Sequence, residues 1–430
     1  MIDSFVQILR MENIFQKVRH SSFLKEFFHF SATIAFLQAS RFFVSLLAAR
    51  QLGPSNWGMW QILWLVIVYS SVAHLGVING MNRNIPFYIG QGNHRMVAEI
   101  SGAAFMVAMV STSLCSLLLL TISFYFEENR FTLPFRLTLL LLLVHQLHAY
   151  LQVSLKSRSR FAELSKQNFV FALIYMLLVI PMLHFYGIEG LILGQCGAVL
   201  ATSVFILKTS ALRIRFTFSF KESINMIKIG LPIMLAGILY ALMATADRWI
   251  IKSYLGIDQI GQYSVAIMVT GVLSIIPITV SQQIYPRMAQ SWGRNCDFKE
   301  LNEWVRKQHL SSIILTFPFM IVAYYLFPIL IEAYLPAYSQ GINAMRIIIF
   351  ACLFLCIAIG YGNCLNTIGR QVYSMIVQGC CIVFNIYFSI LFVKLGYGVN
   401  GVAFGTLLTF VAYALALSII YRAIVRQQYK

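Results

Sequence analysis

Long apolar runs, separated by short polar and basic stretches, dominate the chain from about residue 27 to residue 425. A helix that crosses a bilayer needs about 20 mostly apolar residues. Twelve runs meet this requirement and are numbered as spans 1 to 12: 28–49, 59–81, 98–125, 132–155, 168–186, 188–208, 229–251, 260–281, 308–330, 344–366, 371–393 and 397–421. The connections are short, and none is long enough to fold by itself. The pattern predicts an all-α polytopic membrane protein with about twelve transmembrane helices.

Composition excludes a soluble protein. The 430 residues are 59% hydrophobic and 11% charged, with a mean hydropathy of +0.76, whereas a soluble domain carries about 25% charged residues. The eight cysteines are dispersed and form neither a disulfide framework nor a paired zinc motif. No signal-peptide pattern precedes span 1, and residues 2–26 are expected to form an interfacial amphipathic helix.

The distribution of basic residues predicts the orientation. With the N-terminus in the cytoplasm, 24 of the 32 Lys and Arg residues lie on the cytoplasmic side, where membrane proteins collect them. Both termini are therefore predicted to be cytoplasmic, together with the loops 82–97, 156–167, 209–228 and 286–307. This bias also explains most of the net charge of +17 without a nucleic-acid partner.

Three sequence patterns occur twice, in the same order and at nearly the same offset, which is the signature of an internal repeat. Leu52-Gly53-x4-Gly58-x-Trp60 returns as Leu255-Gly256-x4-Gly261-x-Tyr263. Leu155-x4-Arg160 returns as Leu365-x4-Arg370, and Gly187-x2-Gly190-x3-Gly194 returns as Gly398-x2-Gly401-x3-Gly405. Each glycine set also suits close helix packing, since small residues let helices approach.

The repeats predict two pseudo-symmetric halves of six helices each. The expected divisions are a cytoplasmic segment at 1–26, an N-terminal half at 27–208, a basic cytoplasmic linker at 209–228, a C-terminal half at 229–425 and a cytoplasmic tail at 426–430. Two halves of one orientation are related by an axis along the membrane normal, so a substrate path between them is expected.

Arg41 is the sharpest candidate for a functional residue. It lies more than halfway along span 1, and an arginine at that depth costs about 2.5–3.5 kcal/mol on insertion scales, so it should face protein or water. Gln38 shares its helix face. The guanidinium suits a phosphate or a sugar acid. The alternative is a structural partner for Asp247 or for a backbone carbonyl.

Asp247 and Arg248 close span 7, in nearly the corresponding place of the second half. Arg41 and Arg248 are predicted to face each other across a central cavity. The two neighbouring side chains, Asp247 and Arg248, point about 100° apart and do not form a simple pair. Asp247 is expected either to titrate or bind a cation during coupling, or to neutralise Arg41 in a structural role.

The remaining polar candidates are less specific. Arg83, at the cytoplasmic end of span 2, is expected either to bind a diphosphate where the substrate path opens to the cytoplasm or to bind lipid headgroups. His145 and His148 lie on one face of span 4, where hydrogen bonding to sugar or lining of a cavity is favoured over metal binding. Asn363 in span 10 is a similar candidate.

The twelve spans, the Leu-Gly-x4-Gly turns, the Asp247-Arg248 pair and the repeated glycine sets resemble the multidrug/oligosaccharidyl-lipid/polysaccharide exporter superfamily, which is MATE-like. Within it, the chain looks most similar to the Wzx-type O-antigen and polysaccharide flippases. The resemblance covers residues from about 27 to 425. One departure is His74-Leu75-Gly76, where many relatives carry Asp-Leu-Gly. The role of that acid does not transfer, but His74 remains a titratable candidate for coupling.

The resemblance implies transport of an undecaprenyl-diphosphate-linked oligosaccharide from the cytoplasmic to the periplasmic leaflet of a bacterial inner membrane, by alternating access of a cationic cavity. It implies no enzymatic activity and no cofactor, with transport coupled to a proton or sodium gradient. The implied partners are the lipid-linked oligosaccharide, membrane lipids, a polysaccharide polymerase and chain-length proteins.

Two other functions stay open at this point. A drug/cation antiporter of the same superfamily would need buried carboxylates, and Asp247 is the one candidate. A membrane-embedded polysaccharide polymerase or ligase would need a large periplasmic loop with catalytic residues, whereas the longest outer connection, near 332–343, is roughly a dozen residues long.

Overall fold

The computed structural model describes residues 22–125, 129–210, 212 and 219–428. Within these ranges the regular elements are helical, and no strand is present. The α-helices are α1 (Ser22–Tyr69), α2 (Val77–Gly90), α3 (His94–Ser123), α4 (Thr132–Ser157), α5 (Phe161–Thr209), α6 (Phe220–Tyr254), α7 (Ile257–Asn295), α8 (Phe298–Tyr334), α9 (Ile342–Ile349), α10 (Ala351–Thr367), α11 (Gln371–Phe392) and α12 (Gly398–Gln428).

Nine helical segments of the described chain are long and apolar enough to cross a membrane. Three of them are 38, 49 and 57 residues long and contain non-helical glycines, at Gly53, at Gly187 and at Gly396 with Gly398. Since a span needs only about 20 residues, each of the three supplies two crossings. The all-α, polytopic fold with about twelve transmembrane helices is confirmed.

The glycine set that begins at Gly187 builds a helical hairpin inside α5. Gly187 has a φ of 59°, which favours glycine, and the chain turns there. Gly190 then packs against the carbonyl of Met182, and a Cβ on Gly194 would lie 2.8 Å from the Cα of Val179. The two arms are therefore antiparallel and in backbone contact, so this set serves both the turn and the packing.

The second copy of this set has the same geometry. Gly398 has a φ of 52°. A Cβ on Gly401 would lie 2.8 Å from the Cβ of Phe392, and one on Gly405 would lie 2.9 Å from the backbone nitrogen of Ser389. The repeated glycine pattern thus corresponds to a repeated helical hairpin.

The repeated Leu-x4-Arg pattern marks the C-terminal end of a helix in both copies. The backbone N–H of Arg160 donates to the carbonyl of Leu155 at 3.0 Å, and that of Arg370 donates to Leu365 at 2.8 Å. The residue before each arginine, Ser159 or Gly369, has a positive φ of 56° or 72°. Both helices therefore end in the six-to-one hydrogen bond of the Schellman motif.

The two Leu-Gly-x4-Gly turns pack against each other. Gly53 and Gly256 have positive φ values of 69° and 91°. A Cβ on Gly58 would lie 2.9 Å from the backbone nitrogen of Gly261, and Gly261 in turn contacts the carbonyl of Pro54. A side chain at either position would force the backbones apart.

The chain divides into two compact units. The first comprises Met1–Val44 and Ser70–Ile233, and the second comprises Ser45–Tyr69 and Met234–Lys430. The segment 45–69 belongs to the second unit because its turn packs on Gly261 and because the Tyr338 hydroxyl donates to the Ala49 carbonyl at 2.6 Å.

The division into sequence halves at 27–208 and 229–425 remains a prediction, because the compact units follow contacts and not the repeat. Much of the predicted N-terminal segment lies outside the described residues, at 1–21. So do 211 and 213–218 of the predicted linker, and 429–430 of the tail.

Each unit has its own apolar core. In the first, residues of α2, α3 and α4 meet around Ile100, Leu151 and Met81, which are fully buried. In the second, α10, α11 and α12 meet around Leu365 and Leu417. The first core thus holds α4, which carries His145 and His148, and the second holds α10, which carries Asn363.

Candidate functional site

Arg41 is solvent-accessible in the first unit, although enough protein surrounds its guanidinium to desolvate it in part. Its side chain is exposed, while Phe171 and Tyr175 beside it are buried. The guanidinium carbon lies 5.5 Å from the centroid of the Phe171 ring, within cation–π range. Arg41 also interacts electrostatically with His145, His148 and Tyr175. Elements α1, α4 and α5 thus bring a cation, two imidazoles and two aromatic rings together.

The Arg41 guanidinium has no fixed partner within its unit. Among the residues described there, none lies at ion-pair distance, and none hydrogen bonds to it. The expected alternative of a bond to a backbone carbonyl is therefore not observed there. Gln38, one turn earlier on the same helix, is half-buried. The cation and the amide are available to a ligand.

The predicted histidine pair is divided between two environments. His148 is buried, with Nδ1 3.1 Å from the Ser203 hydroxyl and Nε2 3.2 Å from the Gln167 side-chain nitrogen. Gln152 donates to Gln167 at 3.1 Å. His145 is half-buried. Both ring nitrogens of His148 are thus engaged by the protein, and contact of either histidine with a sugar remains a prediction.

The structure adds residues that the sequence analysis missed. Gln167, Phe171 and Tyr175 recur at every fourth position of α5, and the two rings stack with centroids 5.6 Å apart. Phe36 of α1 stacks on Phe169 at 5.3 Å. The four-residue spacing was the available signal, but within an apolar span it also fits ordinary helix packing.

Asp247 is buried in the second unit and held at both oxygens. The Tyr263 hydroxyl donates to Oδ2 at 2.7 Å, and the Arg248 backbone nitrogen donates to Oδ1 at 2.8 Å. The carboxylate also interacts electrostatically with the half-buried Arg248 side chain, whose Nε is buried without a hydrogen-bond partner. A negative and a positive group thus adjoin on one helix without a side-chain hydrogen bond between them.

A chain of buried oxygen and amide groups extends from Asp247. Tyr263 also interacts with the Thr406 side chain, and the Asn385 side-chain nitrogen donates to the Thr406 hydroxyl at 3.4 Å. The same nitrogen donates to Thr409 at 3.1 Å. The members from α11 and α12 were missed because they lie far from Asp247 in sequence.

Arg248 lies on a helix that is fixed by a second polar cluster. The Tyr69 hydroxyl is 2.6 Å from the Thr245 hydroxyl and accepts from the Trp249 indole at 3.1 Å. Lys252 lies 5.5 Å from the centroid of the same indole. This cluster orients α6 at the level of Asp247.

His74 lies at a break in span 2. Between the 3-10 turn at Ser70–Val72 and the start of α2, Leu75 and Gly76 have φ values of 52° and 78°. The buried His74 ring accepts a hydrogen bond from the Gly76 N–H at 3.1 Å. A Cβ on Gly76 would lie 2.6 Å from the Leu231 backbone nitrogen. His74 therefore stabilises the break, and its role in coupling remains a prediction.

The other two candidates lie apart from these groups. Arg83 is exposed on α2. The Asn363 amide donates to Ser281 at 2.7 Å and to Gln308 at 3.2 Å, so it joins α10 to α7 and α8. Within their respective units, no described hydrogen bond or ion pair connects Arg83 to Arg41, or Asn363 to Asp247. Asn363 thus has a helix-packing role, and substrate contact for either residue remains a prediction.

Comparisons with known proteins agree with this architecture. Residues 46–337 match the family model described as polysaccharide biosynthesis protein. The chain is 20% identical over 393 residues to a Shigella flexneri protein named "Putative O-antigen transporter", a match that covers 87% of this chain and 91% of that protein.

Solved structures share the fold. An inward-facing multidrug resistance MATE family transporter of the MOP superfamily aligns with a TM-score of 0.75 and 14% identity, over 91% of this chain and 94% of that one. The lipid II flippase MurJ, in an inward closed conformation, aligns with a TM-score of 0.72 and 14% identity, over 91% and 87%. Identities this low establish the fold alone.

Proposed function

Since this chain belongs to the polysaccharide biosynthesis protein family, we propose that it moves an undecaprenyl-diphosphate-linked oligosaccharide from the cytoplasmic to the periplasmic leaflet of a bacterial inner membrane. The cargo is the repeat unit of an O-antigen or a related surface polysaccharide. The resemblance to the exporter superfamily is confirmed, and the chain is a multi-pass membrane transporter and not an enzyme. The alternative of a membrane-embedded polymerase or ligase is therefore set aside.

The proposal rests on the position of the Arg41 guanidinium. It lies in an apolar span, it is exposed, and it has no ion-pair partner among the described residues of its unit. A cation in that position is stabilised by water and by a passing anion. A diphosphate offers pairs of anionic oxygens that can accept two parallel hydrogen bonds from the planar guanidinium.

The groups around Arg41 suit the rest of the cargo. The Gln38 amide and the His145 imidazole can hydrogen bond to sugar hydroxyls. The stacked rings of Phe171 and Tyr175 add an aromatic wall beside the guanidinium. The site thus combines a charged point for the diphosphate with polar and aromatic groups for the remainder.

Transport is proposed to run by alternating access, with Asp247 as the coupling group. Its support is a buried carboxylate that touches hydroxyl and amide groups and adjoins the positive charge of Arg248. Gain or loss of a proton or a sodium ion there changes the charge next to Arg248. That change gives a gradient a means to bias the conformation of α6.

A drug/cation antiporter of the same superfamily is the second candidate, because the buried carboxylate of Asp247 suits a cation. Against it, the groups that interact with Arg41 are two imidazoles and a phenol, with no carboxylate among the described ones. A site with a net positive charge repels a cationic drug. The geometry therefore favours an anionic cargo.

Reconstitution in vesicles tests the proposal directly. Purified protein is placed in vesicles that contain a fluorescent undecaprenyl-diphosphate-linked oligosaccharide, and its movement between leaflets is followed by accessibility to a sugar-modifying enzyme. A cationic dye in the same vesicles is the competing cargo. We expect movement of the oligosaccharide lipid and no dye transport. Dye transport without lipid movement would assign the chain to the antiporters.

A further inference from the structure

A basic recess lies in the second unit, at the start of α8 and the end of α12. It has a volume of about 660 Å³. Lys299, Asn302 and Glu303 of α8 form one wall, and Arg422 and Arg426 of α12 form the other. Both helix ends belong to the side predicted to face the cytoplasm. None of the residues that line the recess has a role in the proposed transport cycle.

Positive charge in this recess exceeds negative charge. Its three cations are exposed, and within the described chain none of them lies at ion-pair distance from a carboxylate. The one acid, Glu303, lies 3.9 Å from Lys307 on its other side. Three like charges around one space repel each other. A multivalent anion in the recess would remove that repulsion.

The floor of the recess is apolar. Phe298, Tyr421 and Val425 line it, and the hydroxyl of the buried Tyr421 donates to the side-chain Oδ1 of Asn302 at 3.3 Å. Trp292 packs edge-on against Phe298, with centroids 4.8 Å apart. A cationic rim above an apolar floor fits an amphiphile better than a free ion.

Aromatic residues around the recess indicate the depth at which it lies. Trp292, at the end of α7, packs against Phe298 in the floor of the recess. Further along α8, the Lys307 ammonium lies 4.7 Å from the centroid of the Trp304 ring. Tryptophan beside lysine is typical of the boundary between hydrocarbon and headgroups. The recess therefore lies at the level of phospholipid phosphates.

We propose that this recess binds the phosphate headgroup of an anionic phospholipid of the inner leaflet. Lys299, Arg422 and Arg426 hold the phosphate, and the start of the acyl chains lies on Phe298 and Val425. Basic pockets between transmembrane helices on the cytoplasmic side bind anionic headgroups in this way. The ligand is a resident lipid and not the transported cargo.

Binding of short-chain phosphatidylglycerol to the detergent-purified full chain tests this assignment. Each basic residue near a membrane surface contributes about a fivefold effect on anionic-lipid affinity, so Arg422→Gln with Arg426→Gln should weaken binding about 25-fold. The matched control is Lys156→Gln with Lys166→Gln, which removes the same charge from exposed positions in the first unit and should leave affinity unchanged. Short-chain phosphatidylcholine should bind far more weakly than phosphatidylglycerol.

Three results would overturn the assignment: equal affinity in the two double variants, equal binding of the two lipids, or displacement of phosphatidylglycerol by an equal concentration of inorganic phosphate or pyrophosphate. The last result would mark a site for free phosphate. If the arginine double variant does not purify as a monodisperse protein, Lys299→Gln replaces it. The single variant should weaken phosphatidylglycerol binding about fivefold, and an unchanged affinity would contradict the proposal.

Discussion

At the scale of single residues, Arg41 and Asp247 place charges inside apolar spans, where hydrocarbon would otherwise surround them. The Arg41 guanidinium is exposed and unpaired within its unit, whereas the Asp247 carboxylate is buried and held at both oxygens. An exposed charge is available to a ligand that comes and goes, while a buried and bonded charge responds to small ions. The two residues therefore suit binding and coupling respectively.

Asp247→Asn tests the coupling role. The amide keeps the size of the side chain and can still accept from Tyr263, but it cannot take up a proton or carry a negative charge beside Arg248. We expect normal insertion and abundance, with no stimulation of transport by a proton or sodium gradient. The measurement is the rate at which the oligosaccharide lipid moves between the leaflets of vesicles, with and without an imposed proton or sodium gradient.

Tyr263→Phe is the matched control for that experiment. It removes one bond to the carboxylate but keeps its charge, so gradient dependence should persist even if the rate falls. A gradient response in Asp247→Asn equal to that of the parent protein would assign Asp247 to structure alone.

The charged residues of the candidate site could be predicted from the sequence more readily than its other members. Arg41 and Asp247 stand out because charge inside an apolar run is expensive. Phe171 and Tyr175 do not, because aromatic residues are ordinary in such a run. Thr406 could be recognised as a neighbour of Tyr263 only from the folded structure.

At the scale of elements, the glycines decide how closely helices approach. Gly190 and Gly401 lie at equivalent points of two helical hairpins, each against the backbone or Cβ of the opposite arm. The apolar runs predicted these arms well, because run length is set by bilayer thickness. The breaks within span 2, at His74 to Gly76, and within span 10, at Phe350, were not predicted. The first of these depends on a tertiary contact between Gly76 and Gly230, which no local pattern contains.

Gly190→Ala should destabilise the hairpin in α5. The added methyl group would overlap the Met182 carbonyl, and overpacking of this kind costs about 1–3 kcal/mol. Gly379→Ala is the control, because Gly379 lies inside a helix with no atom within 4 Å of a new Cβ. We expect a lower melting temperature in detergent for Gly190→Ala, and an equal or higher one for Gly379→Ala. Equal melting temperatures for both variants would contradict the assigned role of Gly190.

At the scale of the whole molecule, charge distribution determines orientation. The basic loops that the sequence predicts to be cytoplasmic alternate with weakly charged connections, as the positive-inside rule requires. The sequence was a good guide to helix number and class because both follow from composition and run length. It was a poor guide to the compact units, since the segment 45–69 joins the second unit through long-range contacts.

Reporter fusions along the chain test the predicted orientation. Fusions at both termini and in the loops 82–97, 156–167, 209–228 and 286–307 should report the cytoplasm, and a fusion near 332–343 should report the periplasm. The alternation follows from twelve crossings with both ends on one side. Any two of the four loops found in the periplasm would contradict the twelve-span topology.

Binding of the anionic cargo by Arg41 can be tested in a flippase-null strain, where surface polysaccharide and the membrane abundance of each variant are measured together. A hydrogen bond to a charged group contributes about 1.5–3 kcal/mol, so Arg41→Ala should lower polysaccharide at least about tenfold at normal abundance. Arg41→Lys should restore it in part, because lysine keeps the charge and loses the bidentate fork. Arg50→Ala, an exposed arginine on the same helix, should behave like the parent. Full polysaccharide from Arg41→Ala at normal abundance would contradict binding of the cargo by Arg41.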